Sequence, residues 1–591
     1  MQNCCLVDVP GNKFYVFWDR RFYLTLSVPL LEMFYSDMKK SILLFLVFIP
    51  ISLLGQWSND PGKPLIIFNG YDLSDAEVIS ENDYYYFSWV RRPYGGPSYR
   101  MIQRISYEGY PVWSDSSNLQ SVYGSLLSSS SRNIYSDKEG SLLVSQIRYD
   151  YATNRWSPVV IKISQTGKKI WSTYRELGRT GFDAYDIYLC ISSLNNIFVI
   201  TKWASEYKGN TEISLTRISA EGKLEWQDNR LLASDTINKI GDDFQIFPTN
   251  DDGCLVLYST QTLSPSSSNV LSEEIRLRRI SGTGLALWKR DEVVVKQRWG
   301  IFADSYAVQQ GDDALYFLCH ETPGVPMIYR ESPDGTPTWG AYGQLLTDLP
   351  VFYMNPIISG FSPDGGIYLL YTNTTHDSVF LFEQKMSADG ERLWGANGKK
   401  LISNKYGDLQ RVLANTMGDT TVIICQMVTR SDYNSIFFNA MGISPEGNLL
   451  WNKTQIVSSP PDKSINLSGI AAGGNDQLVF SWMEFGENRQ CDVIKAQNIH
   501  TNGTFGNLTS SIPILAKPGL PLFTYDAKRN SIANNRPDRS WQYFLFNSMG
   551  QMIIKGGINT EVLLPDLTPG IYFLTVIGGQ HKESLKVLIG Y

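Results

Sequence analysis

The chain has 591 residues, 43% hydrophobic and 19% charged, a composition that can pack a core and excludes disorder for the bulk of the molecule. Lys plus Arg (52) fall short of Asp plus Glu (58), leaving a net charge of −6, so no basic excess exists to neutralise a phosphate backbone. Nucleic acid is therefore not an expected partner.

Residues 38–56 read MKKSILLFLVFIPISLLGQ: Met38, two lysines, an apolar run from Ile42 to Leu54, and small Gly55 before Gln56. This is the anatomy of a secretory signal peptide, assigned here to residues 38–55. The 13-residue apolar run is shorter than the roughly 20 residues a membrane span needs, and no longer one follows, so an integral membrane protein is not expected. A signal peptide acts at the start of a chain, which makes Met38 the expected translation start and residues 1–37 a misassigned upstream extension. Cys4 and Cys5 fall in that extension. The other five cysteines, Cys190, Cys254, Cys319, Cys425 and Cys491, have no metal-ligand spacing, and several adjoin apolar runs, as buried hydrophobes do. A disulfide between neighbouring strands stays open in an oxidising compartment.

From Ser106 onward one pattern recurs, Ser-x-x-Gly-x-x-x-Trp after an alternating segment. Its tryptophans are Trp113, Trp171, Trp226, Trp288, Trp339, Trp394 and Trp451, and an eighth, degenerate copy keeps Gly503 but has His500 and Asn507 at the flanking positions. The glycines recur every 51 to 62 residues. Serine opening a type I turn and glycine at its fourth position predict a hairpin, and a large ring at a fixed place in every repeat predicts packing between adjacent sheets. A second turn signal precedes each copy, as at Asp252-Gly253 and Asp364-Gly365, so each repeat supplies four antiparallel strands. The expectation is an all-β protein, with an eight-bladed β-propeller over residues 62–515 and a solenoid as the alternative.

In such units the two tight turns share one end and the two longer connections share the other. Aromatic and basic residues recur in or beside the longer loops: Trp89, Arg91, Tyr94, Tyr149, Trp156, Trp203, Tyr207 and Phe485. These are the candidate ligand-binding residues, on a rim where variable loops sit on a rigid scaffold. Ordinary loop packing is the competing reading.

The repeat resembles the tryptophan-docking repeats of quinoprotein dehydrogenases, which are eight-bladed propellers. Those enzymes use adjacent cysteines above the cofactor, and the only adjacent pair here, Cys4-Cys5, precedes the signal peptide, so the resemblance speaks for fold and against that chemistry. The repeats also resemble poorly characterised propellers of secreted Bacteroidetes proteins.

Residues 516–540, with Pro518, Pro521 and Pro537, read as a linker. Alternation resumes over 541–591 and predicts a small β-sandwich of five short strands. The stretches FNSMGQMII, LTPGIYFLTV and KESLKVLIG are similar to the C-terminal sorting domain (type A) of the type IX secretion system of Bacteroidetes. That resemblance implies a module around Gly550, Pro569, Gly570, Tyr572 and Lys586 that is read by the type IX machinery during outer-membrane passage and then removed. It further implies a secreted or outer-surface location reached through the periplasm. The Pro-Asn-Pro-like opening strand of many members is not evident between Phe523 and Ser540.

Catalytic signatures are weak. Four histidines, His320, His376, His500 and His581, show no metal-ligand spacing, and no Gly-x-Ser-x-Gly elbow occurs, so no catalytic residue, metal or cofactor is expected. Adjacent acids at Asp242-Asp243, Asp251-Asp252, Asp312-Asp313 and Glu273-Glu274 fall mostly at turns or loop ends, where solvated side chains are the simpler reading. The expected function is a surface-displayed binding or adhesion module for an extracellular glycan or protein, the alternative a propeller enzyme acting on polysaccharide or peptide.

Overall fold

The computed structural model describes residues 57–507 except 93–97, 114–116, 120–133, 138, 151, 174–176, 206–209, 227–229, 235–238, 264–269, 289–292, 300–305, 310–314, 320–325, 350–356, 376–377, 405–406, 430–434, 461–462, 475 and 487–489, together with the strands within 6–27 and within 523–589. Every named element is a β-strand, so the chain is all-β as its alternation predicts. It divides into two units, Met1–Asn507 and Leu508–Tyr591. The signal-peptide residues lie outside the described residues. Upstream of them, Leu6–Val9, Lys13–Trp18 and Phe22–Ser27 pair as a three-stranded antiparallel meander.

Within the larger unit, six consecutive segments each fold as a four-stranded antiparallel meander in chain order, starting at Ile134, Phe182, Lys239, Tyr306, Ile357 and Gly407. A seventh sheet has seven strands and joins distant parts of the sequence: Ser464–Ala472, Gln477–Phe485 and Cys491–His500, then Leu65–Glu81, Tyr84–Arg91, Tyr99–Ser106 and Ser117–Leu119. The long strand Leu65–Glu81 serves both flanks. Its first half pairs with Cys491–His500, its second half with Tyr84–Arg91, and the two registers meet at Leu73.

The second strand of a meander is buried along nearly its whole length, as in Thr420–Thr429 (TTVIICQMVT) and Gln477–Phe485 (QLVFSWMEF). Neighbouring sheets cover both of its faces, which is why these segments are continuously apolar. The first strands instead carry bulges, at Ser74/Glu77, Ala184/Asp186, Ile240/Phe244, Ile358/Gly360, Leu409/Arg411 and Leu467/Gly469. Each extra residue breaks the alternation and turns polar groups out of the ladder.

The Ser-x-x-Gly turn forms in all eight copies. The glycine N–H donates to the carbonyl three residues back at 2.8–3.0 Å, from Gly109 to Ser106 through Gly503 to His500. The eight glycines have φ between 79° and 91°, the left-handed region that a Cβ disfavours. Packing adds a second requirement, because a Cβ on Gly390 would lie 2.9 Å from Trp339, and one on Gly503 2.7 Å from Trp451.

Six of the seven tryptophans thus lie on the next repeat's turn, and five indole N–H groups reach a carbonyl there: Trp113 to Gln165 (2.9 Å), Trp171 to Ala220 (3.1 Å), Trp288 to Pro333 (3.1 Å), Trp339 to Ala388 (2.8 Å) and Trp451 to Thr501 (2.6 Å). Trp226 packs edge-on to Phe198 at 5.8 Å, and Trp394 lies 3.1 Å from the Cβ position of Gly447. The ring fills the boundary between sheets while its polar edge is satisfied, as a buried indole requires.

The eighth copy departs from the pattern in an informative way. Asn507 stands where tryptophan is expected and donates to the Glu108 carbonyl at 3.0 Å. The ring comes from elsewhere: Trp57, 3% exposed, donates its indole N–H to the Tyr107 carbonyl at 2.8 Å, on the turn of the first copy. His500, in place of serine, is buried and hydrogen-bonds the Gly506 carbonyl through Nε2 at 2.8 Å.

In the smaller unit, Met552–Ile558, Trp541–Asn547, Gly570–Gly578 and His581–Ile589 form one antiparallel sheet, and Phe523–Asp526, Ser531–Asn534 and Glu561–Leu563 a second. Ile532, Tyr543, Leu545, Ile558, Leu564, Tyr572, Leu574 and Val576 share one buried cluster. Two strands therefore lie inside the stretch expected to be a linker. Four residues each, they are too short for alternation to announce them.

Candidate functional site

The tight turns cluster at one end of each meander, and the opposite end carries the longer connections. Two concavities differ in what their lining offers. One, of about 520 Å³ at the tight-turn end, includes Gln344, Asp389, Glu391 and Arg392. Its guanidinium is already occupied, since Arg392 pairs with Asp348 at 2.7 Å.

The other lies at the longer-loop end between the Gly407 meander and the Ser464 strands, with a volume of about 480 Å³. Gln410, Arg411, Gln426, Ile436, Ser464, Ile465, Asn466 and Phe485 line it. Gln410 is the extra residue of the Leu409/Arg411 bulge, so this irregularity sets the direction of both side chains. The floor is stitched across the two sheets: Gln426 donates from Nε2 to Gln410 Oε1 at 2.8 Å and accepts the Leu467 N–H at Oε1, also at 2.8 Å. Arg411 donates to the Ser468 carbonyl at 3.4 Å, a long contact that leaves most of its fork free. Loss of water around the guanidinium lowers its pKa, though an arginine stays charged at any ordinary pH. Among the described residues it forms no ion pair. On the second strand of the neighbouring sheet, Glu484 is held by Lys495 at 2.6 Å.

The residues expected at the rim separate. Phe485 lines the pocket, half-buried. Tyr149 and Trp156 face each other across a strand pair, rings 5.1 Å apart and edge-on, while the Trp156 N–H donates to Asp183 at 2.8 Å; they stand in a different sheet from Phe485. Arg91 is exposed at the end of its strand. Trp89 and Trp203 are corrections, being 0% and 1% exposed. Trp89 packs against Phe68, and Trp203 donates to Ser214 Oγ at 2.7 Å, so both belong to the core. They sit near loop ends in sequence, but a second strand covered on both faces buries its aromatic ends too. Tyr94 and Tyr207 lie outside the described residues, as do Gly550 and Pro569 of the sorting motif. Gly570 begins its strand, Tyr572 is buried in the C-terminal cluster, and Lys586 lies in the last strand. Gln410, Arg411 and Asn466 were missed because they are neither aromatic nor in loops; an Arg beside a bulge is visible only once the register is known.

Several acids have structural partners. Asp251 pairs with Arg279 and Asp252 with Arg217, each at 3.1 Å, at the turns where sequence placed them. The side chains of Asp242-Asp243 and the residues Asp312-Asp313, His320 and His376 lie outside the described set. Glu383, 0% exposed, lies beside the Thr421 and Ser359 hydroxyls, and burial pushes its pKa up to about 8. Cys190, Cys254, Cys425 and Cys491 are buried thiols, and burial pushes Cys425 and Cys491 up to about 12, which suppresses thiolate chemistry. Among the described residues no group of three His, Cys, Asp or Glu could hold a metal ion, and no helix is long and apolar enough to cross a membrane.

No family model and no curated protein matches the chain. Among solved structures it is similar to an ulvan lyase from a new family of polysaccharide lyases, with 8% identity and a TM-score of 0.38 over 67% of this chain and 98% of that one. It is also similar to the β-propeller domain of the trilobed protease from Pyrococcus furiosus, with 9% identity and a TM-score of 0.33 over 65% and 98%. A puromycin-hydrolyzing peptidase from Mycobacterium tuberculosis matches at 12% identity and a TM-score of 0.38 over 73% and 61%. These likenesses are too distant to carry an activity or substrate to this chain.

Proposed function

We propose that this chain is an exported, surface-displayed binding module: an eight-bladed β-propeller that holds an extracellular glycan, followed by a β-sandwich that the type IX machinery reads and removes. Divided at Leu73, the seven-stranded sheet becomes two four-stranded units, which with the six other meanders makes eight. The Trp57 contact, equivalent to those between successive repeats, supports closure of these units into a ring. Export rests on the signal-peptide anatomy of residues 38–55 and the sorting-domain resemblance of 541–591.

The observation that carries binding is the longer-loop pocket, which offers a guanidinium with no ion pair among the described residues, primary amides, a hydroxyl and an aromatic edge. Amides and hydroxyls match the polyol surface of a sugar, and a ring edge its apolar C–H face. On immobilised extracellular polysaccharides the full-length chain should be retained without releasing cleavage products, and Phe485→Ala should elute early while melting normally. Appearance of new reducing ends or unsaturated sugars would establish the propeller-enzyme alternative instead.

A further inference from the structure

We infer that the pocket between the Gly407 and Ser464 strands is selective for an anionic saccharide, a sugar bearing a carboxylate or a sulfate, with Arg411 as the anion's anchor. This rests on the binding-module reading and adds the ligand's charge.

The pocket's volume, about 480 Å³, falls within the range of small-ligand sites. Among the described residues its lining contains one charged residue, and it is a cation. Elsewhere in the larger unit, less exposed arginines on third strands are neutralised within the protein: Arg100 meets Glu77 at 3.4 Å, Arg217 meets both Glu225 (2.8 Å) and Asp252 (3.1 Å), and Arg279 meets Asp251. Arg411 differs. Among the described residues its one side-chain hydrogen bond is the 3.4 Å contact to a neutral carbonyl, and Glu484 of the neighbouring sheet is committed to Lys495. A guanidinium that is exposed at the pocket and has no counter-charge among the described residues is open to an anion that accepts two parallel N–H bonds, the geometry that carboxylates and sulfates share.

The neighbours define what carries the anion. Gln426 is fixed by its two bonds and holds Gln410 Oε1, which turns the Gln410 amide nitrogen into an available donor. Asn466 and Ser464, on the facing first strand, add an amide and a hydroxyl without partners among the described residues. Phe485 and Ile436 supply an apolar wall. A bare inorganic anion would use Arg411 alone, whereas a ring with hydroxyls on one side and an acid group at its edge uses the whole lining.

The test is calorimetric titration of the full-length chain with trigalacturonate, sulfated galactotriose and neutral galactotriose, repeated with Arg411→Gln and with Asn466→Ala. One or both acidic sugars should bind, the better one identifying the acid group. Arg411→Gln should weaken that binding roughly tenfold to a hundredfold, the worth of a charge-assisted pair, and leave the neutral sugar unchanged. Inorganic sulfate should compete only weakly. Equal binding of all three sugars, unaltered in Arg411→Gln but lost in Asn466→Ala, would overturn the charge selectivity and leave the binding module standing. Binding of none of them, with no retention of the wild-type chain on any polysaccharide, would remove both readings.

Discussion

Glu383 is a carboxyl placed where charge is costly. Burial raises its pKa from 4.5 to about 8, so the folded chain keeps a proton that the unfolded chain releases. Its contribution to stability is fully present below about pH 4.5 and is lost as pH rises toward about 8. Glu331, raised to about 8 by burial and by nearby Asp334, acts in the same direction. Thermal melts of Glu383→Gln and wild type should nearly coincide at the acid end of this window and diverge toward its alkaline end, with the variant the more stable. Parallel pH profiles would show that the buried carboxyl does not titrate as described.

At the scale of the element, the Ser-x-x-Gly turn and the tryptophan behind it form one device with two separable parts. Gly390 and Gly395 both have positive φ, 87° and 80°, but a Cβ at Gly390 meets Trp339 at 2.9 Å whereas one at Gly395 meets nothing within 4 Å. Gly395→Ala should therefore cost only the backbone term, about 1–2 kcal/mol. Gly390→Ala should cost measurably more in denaturant titration, and equal losses would mean that tryptophan docking contributes nothing at that turn. This device was legible in the sequence because its residues are chemically singular: only glycine tolerates that dihedral, and only tryptophan combines that area with one N–H. The rim was less legible. Trp89 and Trp203 look like loop aromatics, but alternation cannot tell a strand covered on one face from one covered on both. Arg411 was hidden for the complementary reason, since a bulge is a property of strand pairing.

At the scale of the whole molecule, the eighth repeat is completed by residues from the other end of the unit. The sequence held a clue in Asn507, which leaves one boundary without its ring, but nothing in Trp57 itself marks it as the missing member, some 50 residues before its partner turn at Tyr107. Trp57→Ala should destabilise the larger unit by about 3–5 kcal/mol, as for an interior tryptophan, although Trp57 lies outside any strand. Trp57→Phe, which keeps area but loses the N–H bond, should recover most of that loss. A Trp57→Ala variant melting like wild type would show that this contact does not stabilise the larger unit.

On the proposed reading, cleavage after Gly55 would make Trp57 the second residue of the exported chain and place export and ring closure at the same few residues. Peptide mapping by mass spectrometry of the protein recovered from the surface and medium of its native host tests this account most directly. The expected product starts at Gln56 and ends between Asn507 and Phe523, where the larger unit stops and the first strand of the smaller one begins. A protein retained inside the cell with its C-terminus intact, or one whose mature start lies beyond Trp57, would contradict it.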